Sequence, residues 1–505
     1  MKRSIWIKLL LFHVILTIMS VENTYTQNIW SKLYSINDCD NLRSGQITSD
    51  GGYIIAGWGG DCWDDFWSSW LIKLDVYGDT SWTKKYNSWD YQADIKIYSV
   101  QQTPDGGYIF TGSCDPEPYG EETSQIWLVK TDPSGDTSWT RTYAGEAGYS
   151  VQQTLDQGYI IAGVKSDDIV LIKTDSGGDT TWTKRYGGTG MDETFQLIRT
   201  GDQGYNIAGR TSSYGSGAMD VWLIKTNSSG DTLWTKTYGG TGDDMANSVQ
   251  QTSDGGYIIA GETSSSGEGK KDLLLIKTDP AGNTVWSKTY GGVEDDMAKS
   301  VQQTVDGGYI VAGETESFGT GYIWDIGNIW LLKTNPAGDI HWSKTYSTAR
   351  EYYEMKQYHH GARSVQQTCD KGYFIAGSKV SAGGSSWRFM IYLIKTDSLG
   401  NTKPLTAINN DDHSGLLTEY QLYQNFPNPF NPVTKISYII PESDFVTLTV
   451  YDLRGRKIET LVSQFQKAGK YDVHFNAQHL SSGVYFFQLK AGTNFAQTKK
   501  MVYLK

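Results

Sequence analysis

"KTDSLGNTKPLT", residues 395–406, is a near copy of a motif the chain has already used six times. "KTDSGGDTTWTK" at 173–184 and "KTNSSGDTLWTK" at 225–236 are two of those copies. In all six a Trp stands seven residues after the Asp or Asn. In 395–406 that place holds Pro404. Where the missing Trp has gone decides the fold, and the answer needs the whole repeat.

The repeat is led by "DGGYIIAG" at 50–57, which returns with small changes at Tyr108, Tyr159, Tyr205, Tyr257, Tyr309 and Tyr373. A fixed recurrence of about 50 residues marks a repeat architecture. After each Tyr run comes a second run such as "WLIKTN" (222–227), a turn such as "SSGDT", and a third run such as "WTKTY" (234–238). A fourth, "SVQQT" (248–252), leads into the next Tyr run. All four are strand-length and bounded by Gly, Asp or Ser. In "TSDGG", Gly supplies a positive φ for a hairpin turn. The four are named here the Gln, Tyr, Lys and Trp strands. Four-stranded antiparallel units repeated seven times predict an all-β fold, a seven-bladed β-propeller. An open solenoid is the competing reading and needs capping units at both ends.

The ends of the repeat decide between them. Trp strands occur at Trp82, Trp139, Trp182, Trp234, Trp286 and Trp342, each after a Lys strand. A seventh, "NIWSKLY" at 28–34, has no Lys strand before it, and the last Lys strand, "YLIKTD" at 392–397, has no Trp strand after it. Proline lacks the N–H of a paired strand and fixes φ, so Pro404 takes the chain out of the sheet. The N-terminal strand is expected to fill the gap and close the ring. The repeated Trp reads as an inter-blade packing residue.

The Lys strand–turn–Trp strand motif resembles the tryptophan-docking motif of quinoprotein-type propellers and the Asp-box hairpin of sialidase-like propellers. Its spacing matches neither. The closure pattern is similar to that of WD-repeat propellers. These likenesses imply a fold and no function.

"MKRSIWIKLLLFHVILTIMS" at 1–20 has a basic start and a short apolar run, so residues 1–26 read as a signal peptide. A net charge of −12 argues against nucleic acid as a partner. Four cysteines are too few for a disulfide framework and lack metal-ligand spacing. No cofactor or metal is expected, and a monomer is.

Residues 28–403 are assigned to the propeller, 404–422 to a polar linker and 423–505 to a small C-terminal β-sandwich. Val446, Leu448 and Val450 alternate there as a half-buried strand does. "NFPNPFNP" (425–432), "YDLRGRKI" (451–458), "SSGVYFFQL" (481–489) and the Lys-ended last strand occur together. This segment resembles the type A C-terminal sorting domain of type IX secretion substrates. The resemblance implies that an outer-membrane export machine reads the module, with Gly483, Val484, Tyr485 and Lys505 as sorting residues. It implies a secreted or cell-surface protein.

No catalytic motif stands out: there is no Gly-x-Ser-x-Gly, His-Glu-x-x-His or phosphate loop. Asp192, Asp244 and Asp296 recur after "YGG" and read as turn caps. Loop length is more informative. Trp-to-Gln and Tyr-to-Lys loops share one propeller face, and the long ones fall in neighbouring units. They carry Trp58, Trp63, Trp67, Trp89, Tyr91, Trp324, Tyr352, Tyr353, Tyr358 and Trp387, the candidate ligand-binding residues. Flat aromatics beside carboxylates suit stacking on sugars or on a protein partner. The other reading is that these loops bury their aromatics against one another. A glycan or an extracellular protein is the expected ligand. Two alternatives stay open. A polysaccharide hydrolase or lyase would draw a carboxylate pair from Asp64, Asp65, Asp90, Glu351 and Glu354. A surface-layer or matrix protein would need no small ligand. A Cys39–Cys62 bond is expected, with Cys369 free on the opposite face and Cys114 undecided.

Overall fold

The structure is a computed structural model, and it describes residues 28–37, 39–60, 67–86, 94–115, 124–319, 328–346, 361–383, 386–403, 420–425, 428–440, 443–467, 469–491 and 495–505. Among the described residues there is no helix. The proposed signal peptide and residues 404–419, most of the expected linker and Pro404 with it, lie outside them, while Gln421–Leu422 at the linker's end is a strand of the second unit. The chain divides into two compact units, residues 1–405 and 406–505.

In the first unit each repeat folds as expected. The strands Asp244–Gln251, Tyr257–Thr263, Asp272–Thr278 and Thr284–Tyr290 form one four-stranded antiparallel sheet in the order Gln, Tyr, Lys, Trp. Four other repeats do the same, and the remaining two share an eight-stranded sheet. Its halves are joined by one parallel pairing, Cys39 with Phe389. Four-stranded sheets stacked in series are consistent with a β-propeller.

One polar clip recurs in every repeat. The Lys of the Lys strand is buried, and its ammonium binds the Asp of "DGGY": Lys225 to Asp202 at 2.8 Å, Lys277 to Asp254 at 2.9 Å. Lys277 also donates to the Thr278 carbonyl at 2.7 Å. Asp254 accepts in addition from Thr252 Oγ1 at 2.5 Å and Gly256 N at 3.0 Å. The buried charge is therefore paired and its other donors partly used, as burial requires. This explains why Thr, Asp and Lys recur together.

Successive sheets pack through their apolar faces. Ile258, Leu273 and Leu275 of one meet Val301, Val311 and Leu332 of the next, all essentially water-free. Each such side chain contributes about 1.5–3 kcal/mol by burial. The Trp strand then docks onto the next repeat. Trp234 meets Tyr257 edge-on with ring centroids 6.0 Å apart. It also covers Gly282, where an added Cβ would stand 2.8 Å from the indole. Tyr238 Oη donates to the Gly282 carbonyl at 2.7 Å. The packing role read for the repeated Trp is what the structure shows.

The N-terminal strand repeats this docking at the other end of the chain. Trp30–Tyr34 pairs antiparallel with Ser386–Lys395, the Lys strand that lacks a Trp strand. Trp30 meets Tyr53 edge-on at 5.6 Å and covers Gly78, whose carbonyl accepts from Tyr34 Oη. Lys32 pairs with Asp79. At 395–403 the turn keeps its partner: Trp342 covers Gly400, and Tyr346 Oη donates to its carbonyl at 2.6 Å.

The Gln strands are edge strands, and their exposed N–H groups need covering. The first Gln of "SVQQT" does this for its neighbour. Gln250 Oε1 accepts from Gln303 N at 2.5 Å, and Gln101 Oε1 from Gln153 N at 2.9 Å. Gln366 Oε1 accepts from Ile47 N at 2.7 Å, linking the last Gln strand to the first. The Ser of the motif does the same one step along: Ser248 Oγ accepts from Val301 N at 3.2 Å.

In the second unit, Gln421–Leu422, Val433–Ile440 and Gly469–Asn476 form one sheet, and Lys457–Gln466, Asp444–Asp452, Gly483–Ala491 and Phe495–Tyr503 form another. They share a core that includes Ile436, Tyr438, Leu448, Phe475, Phe487 and Tyr503. The Pro-rich entry is tied to the last strand. Phe430 N donates to the Val502 carbonyl at 3.0 Å, and Val502 N to Asn428 Oδ1 at 2.8 Å.

Candidate functional site

Of the predicted ligand-binding aromatics, Trp58 and Trp67 have described side chains. Trp58 sits near the end of strand Tyr53–Gly60, Trp67 just before Ser68–Leu74, and both are half-buried. Their rings meet edge-on at 5.0 Å. Arg43 and Lys96 lie over the Trp58 ring at 5.6 and 5.4 Å from its centroid. Cations at that distance are attracted by the ring quadrupole. Trp63, Trp89, Tyr91, Trp324, Tyr352, Tyr353 and Tyr358 lie outside the described residues, as does the side chain of Trp387. So do Asp64, Asp65, Asp90, Glu351 and Glu354, the acids of the hydrolase alternative.

Cys39 is disulfide-bonded, and Cys62, its expected partner, lies outside the described residues. Cys114 and Cys369 are free thiols. Asp192, Asp244 and Asp296 are buried, each the first residue of its Gln strand, and they accept from the turn before it. Asp244, for example, accepts from Gly240 N at 2.9 Å and Ser265 Oγ at 2.6 Å.

The structure also assembles a group that the sequence reading did not single out. Every Gln strand slips register against its Tyr strand at one residue, just before the Ser (or Gln196) of the motif. A bulge leaves its extra residue unpaired and re-aims its side chain. Three of the bulge residues are cationic: Arg43, Lys299 and Arg363. Three are aromatic: Tyr98, Tyr149 and Phe195. The seventh is Asn247. All of them line one cavity of about 320 Å³. The residues beside them in the same strands, such as Leu42, Ile97, Ala246 and Ala362, are fully buried.

The aromatic members form a file. Tyr98 and Tyr149 have centroids 4.9 Å apart, and Tyr149 and Phe195 6.0 Å. Arg43 lies over Tyr98 at 5.7 Å, so the two chemistries meet there. Arg210, paired with Glu193, lies over Phe195 at the far end. Lys299 donates to the buried Glu262 at 3.3 Å, and Lys271 donates to the same carboxylate at 2.7 Å. Burial pulls Arg363 down to about 10, helped by repulsion from Arg43 and opposed by Glu314 and Glu262. Burial also lowers Arg43, against Tyr98 and Tyr149. Arg43 makes no ion pair, and its buried Nε has no hydrogen-bond partner among the described residues. One signal in the sequence pointed here: the residue before "SVQQT" varies from repeat to repeat inside an otherwise constant motif.

In the second unit, Gly483, Val484 and Tyr485 open the strand Gly483–Ala491. Tyr485 is buried and donates to the Ser481 carbonyl at 2.8 Å. Lys505 is exposed, and its N donates to Ser482 Oγ at 2.9 Å.

Residues 424–504 match the secretion system C-terminal sorting domain. No curated protein sequence matches the chain. Among solved structures, it is similar to a protein of unknown function from Bacteroides caccae at 12% identity and TM-score 0.36, covering 59% of this chain and 94% of that one. It is similar to Sqt1 from Chaetomium thermophilum at 11% identity and TM-score 0.40, covering 69% and 83%. It is also similar to the β-propeller domain of the Trilobed protease from Pyrococcus furiosus at 11% identity and TM-score 0.35, covering 77% and 98%. The sorting domain marks proteins exported by the type IX system and either secreted or attached at the cell surface, and this chain carries it at 424–504.

Proposed function

We propose that the chain is a cell-surface binding or adhesion protein: a closed, monomeric, seven-bladed β-propeller over 28–403, presented by a sorting sandwich over 423–505 after removal of residues 1–26 and joined to it by the linker 404–422. The single observation that carries the closure is the pairing of Trp30–Tyr34 with Ser386–Lys395. A core shared by Trp30, Phe374, Ile391, Tyr53, Trp70 and Leu74 supports it. The binding role rests on the export tail together with the aromatic loops, and the ligand is a glycan or an extracellular protein. Trp58 and Trp67 support the site by standing together, half-buried, at the edge of those loops.

A glycan array and a pull-down from extracellular fractions test this reading. Retained glycan or protein that is lost when Trp63, Trp67 and Trp89 are changed to Ala supports it. Binding that is indifferent to all three substitutions refutes the site, and no binding in either assay refutes the role.

A further inference from the structure

The bulge residues are sorted by chemistry around their cavity. Arg43, Lys299 and Arg363 come from neighbouring Gln strands: Ser300 Oγ accepts from Val365 N at 3.1 Å, and Gln366 Oε1 from Ile47 N at 2.7 Å. Tyr98, Tyr149 and Phe195 come from the next three in sequence and face the same space. Seven copies of one strand have thus placed charge on one arc and flat apolar rings on another. A core or a plug gains nothing from that division.

Glu262 answers Lys299 and Lys271, and Glu314 lies close enough to favour the charged form of Arg363. Among the described residues no carboxylate pairs with Arg43, which lies over the faces of Trp58 and Tyr98. Two guanidinium groups that line one cavity from neighbouring strands are suited to share an anion, with Arg able to bind an oxyanion by paired N–H donors. The opposite arc offers a stacking face for a ring. A space of about 320 Å³ lies within the range of small-molecule sites.

We infer that this cavity is a binding site for an anionic sugar residue, its acid group held by Arg43 and Arg363 and its ring face laid on Tyr98 and Tyr149. This rests on the reading of the chain as a binding propeller, but on none of the loop aromatics. Carboxylated and sulfated sugars offer the same chemistry, and the experiment separates them.

The test is calorimetric titration of the full secreted chain with digalacturonate, its dimethyl ester and glucose 6-sulfate. One or both acids are expected to bind saturably, and the ester about tenfold more weakly or worse, since it loses the charge-assisted contacts. Whichever acid binds identifies the source. Arg43→Gln and Tyr149→Ala should each weaken that acid by about tenfold or more. Melting curves of both variants report whether they fold, since Arg43→Gln gives up the contacts with the Trp58 and Tyr98 rings. The inference is overturned if neither acid binds, if the ester binds as well as the acid, or if folded Arg43→Gln binds as the native chain does. Array binding that needs Trp63, Trp67 and Trp89 but ignores Arg43 would overturn it and leave the proposed function standing. Acid binding that needs Arg43, with array and pull-down binding indifferent to Trp63, Trp67 and Trp89, would leave the inference standing and refute the loop site.

Discussion

Trp30 covers Gly78: a Cβ added at Gly78 would stand 2.7 Å from the indole ring, and the residue holds φ at +76°. The same relation joins Trp342 to Gly400, Trp234 to Gly282 and Trp182 to Gly230, each with a positive φ. One rule therefore serves the whole first unit. Each Trp strand closes over the Gly of the following turn, and the first and last strands of the repeat obey it together.

Gly78→Ala should accordingly destabilise the chain by about 3 kcal/mol, combining overpacking with a disfavoured backbone. Gly455 is the internal control. It holds nearly the same φ of +75° with nothing within 4 Å. Gly455→Ala should cost only about 1 kcal/mol, the conformational part alone. Denaturant unfolding of the two variants checks the difference.

Three copies of "DGGY" have lost their first Gly, yet the turn is unchanged. Gln157, Gln203 and Lys371 hold φ at 65°, 67° and 64°. That conformation costs a residue with a Cβ about 1–2 kcal/mol. Gln157→Gly should therefore stabilise the chain by up to about 1 kcal/mol, the gain being trimmed by the freer unfolded chain. A higher denaturation midpoint at constant m-value is the expected reading.

The Asp–Lys clips set the acid limit. Burial pushes Asp156, Asp202 and Asp254 up, but the Lys ammonium, the Thr hydroxyl and a Gly N–H hold each at about 2. Their ordinary value is about 4, so the unfolded chain binds more protons between pH 4 and 2. Stability from the clips is complete above pH 4 and is lost as pH falls toward 2. Asp40 runs the other way. Burial raises it to about 6 against donors from Ile36 and Asn37 and the charge of Lys85. The folded state then binds the proton more tightly, so stability falls as pH rises from 4 to 6. Melting temperature should peak near pH 4–5. Asp40→Asn should flatten the limb from 4 to 6 and leave the loss below 4.

The cysteines give a chemical check. Cys369 is exposed, while burial, with Asp115 adding to it, pushes the half-buried Cys114 thiol up to about 11. The thiolate is the reactive form. A thiol reagent at pH 8 should label Cys369 quickly and Cys114 slowly or only on unfolding, and Cys39 should label only after reduction.

The sequence made the repeat legible because packing is local to it. Trp, Tyr and Gly recur at fixed spacing since each touches the same partner in the next repeat, and Pro404 and Trp30 read as one exchange for that reason. The sorting tail was legible from a set of motifs now tied to contacts, Phe430 on Val502 among them. The cavity was not. A bulge turns one residue out of the alternation that strand periodicity depends on. Arg43 and Lys299 thus look like ordinary surface charges in the sequence, although their strands place them together. The loop aromatics stand out in the sequence by loop length and composition, which say nothing of where a side chain points.

The exchange of strands is tested most directly by removing one. Melting of a chain beginning at residue 35 is compared with that of a chain beginning at residue 28. The shorter chain loses the burial of Trp30, five backbone pairings along Ser386–Lys395 and the cover over Gly78. Its melting temperature should fall by roughly 10 °C or more, and a peptide of residues 28–34 added in excess should restore part of the loss. Identical melting of the two chains would contradict the claim that this strand completes the last sheet.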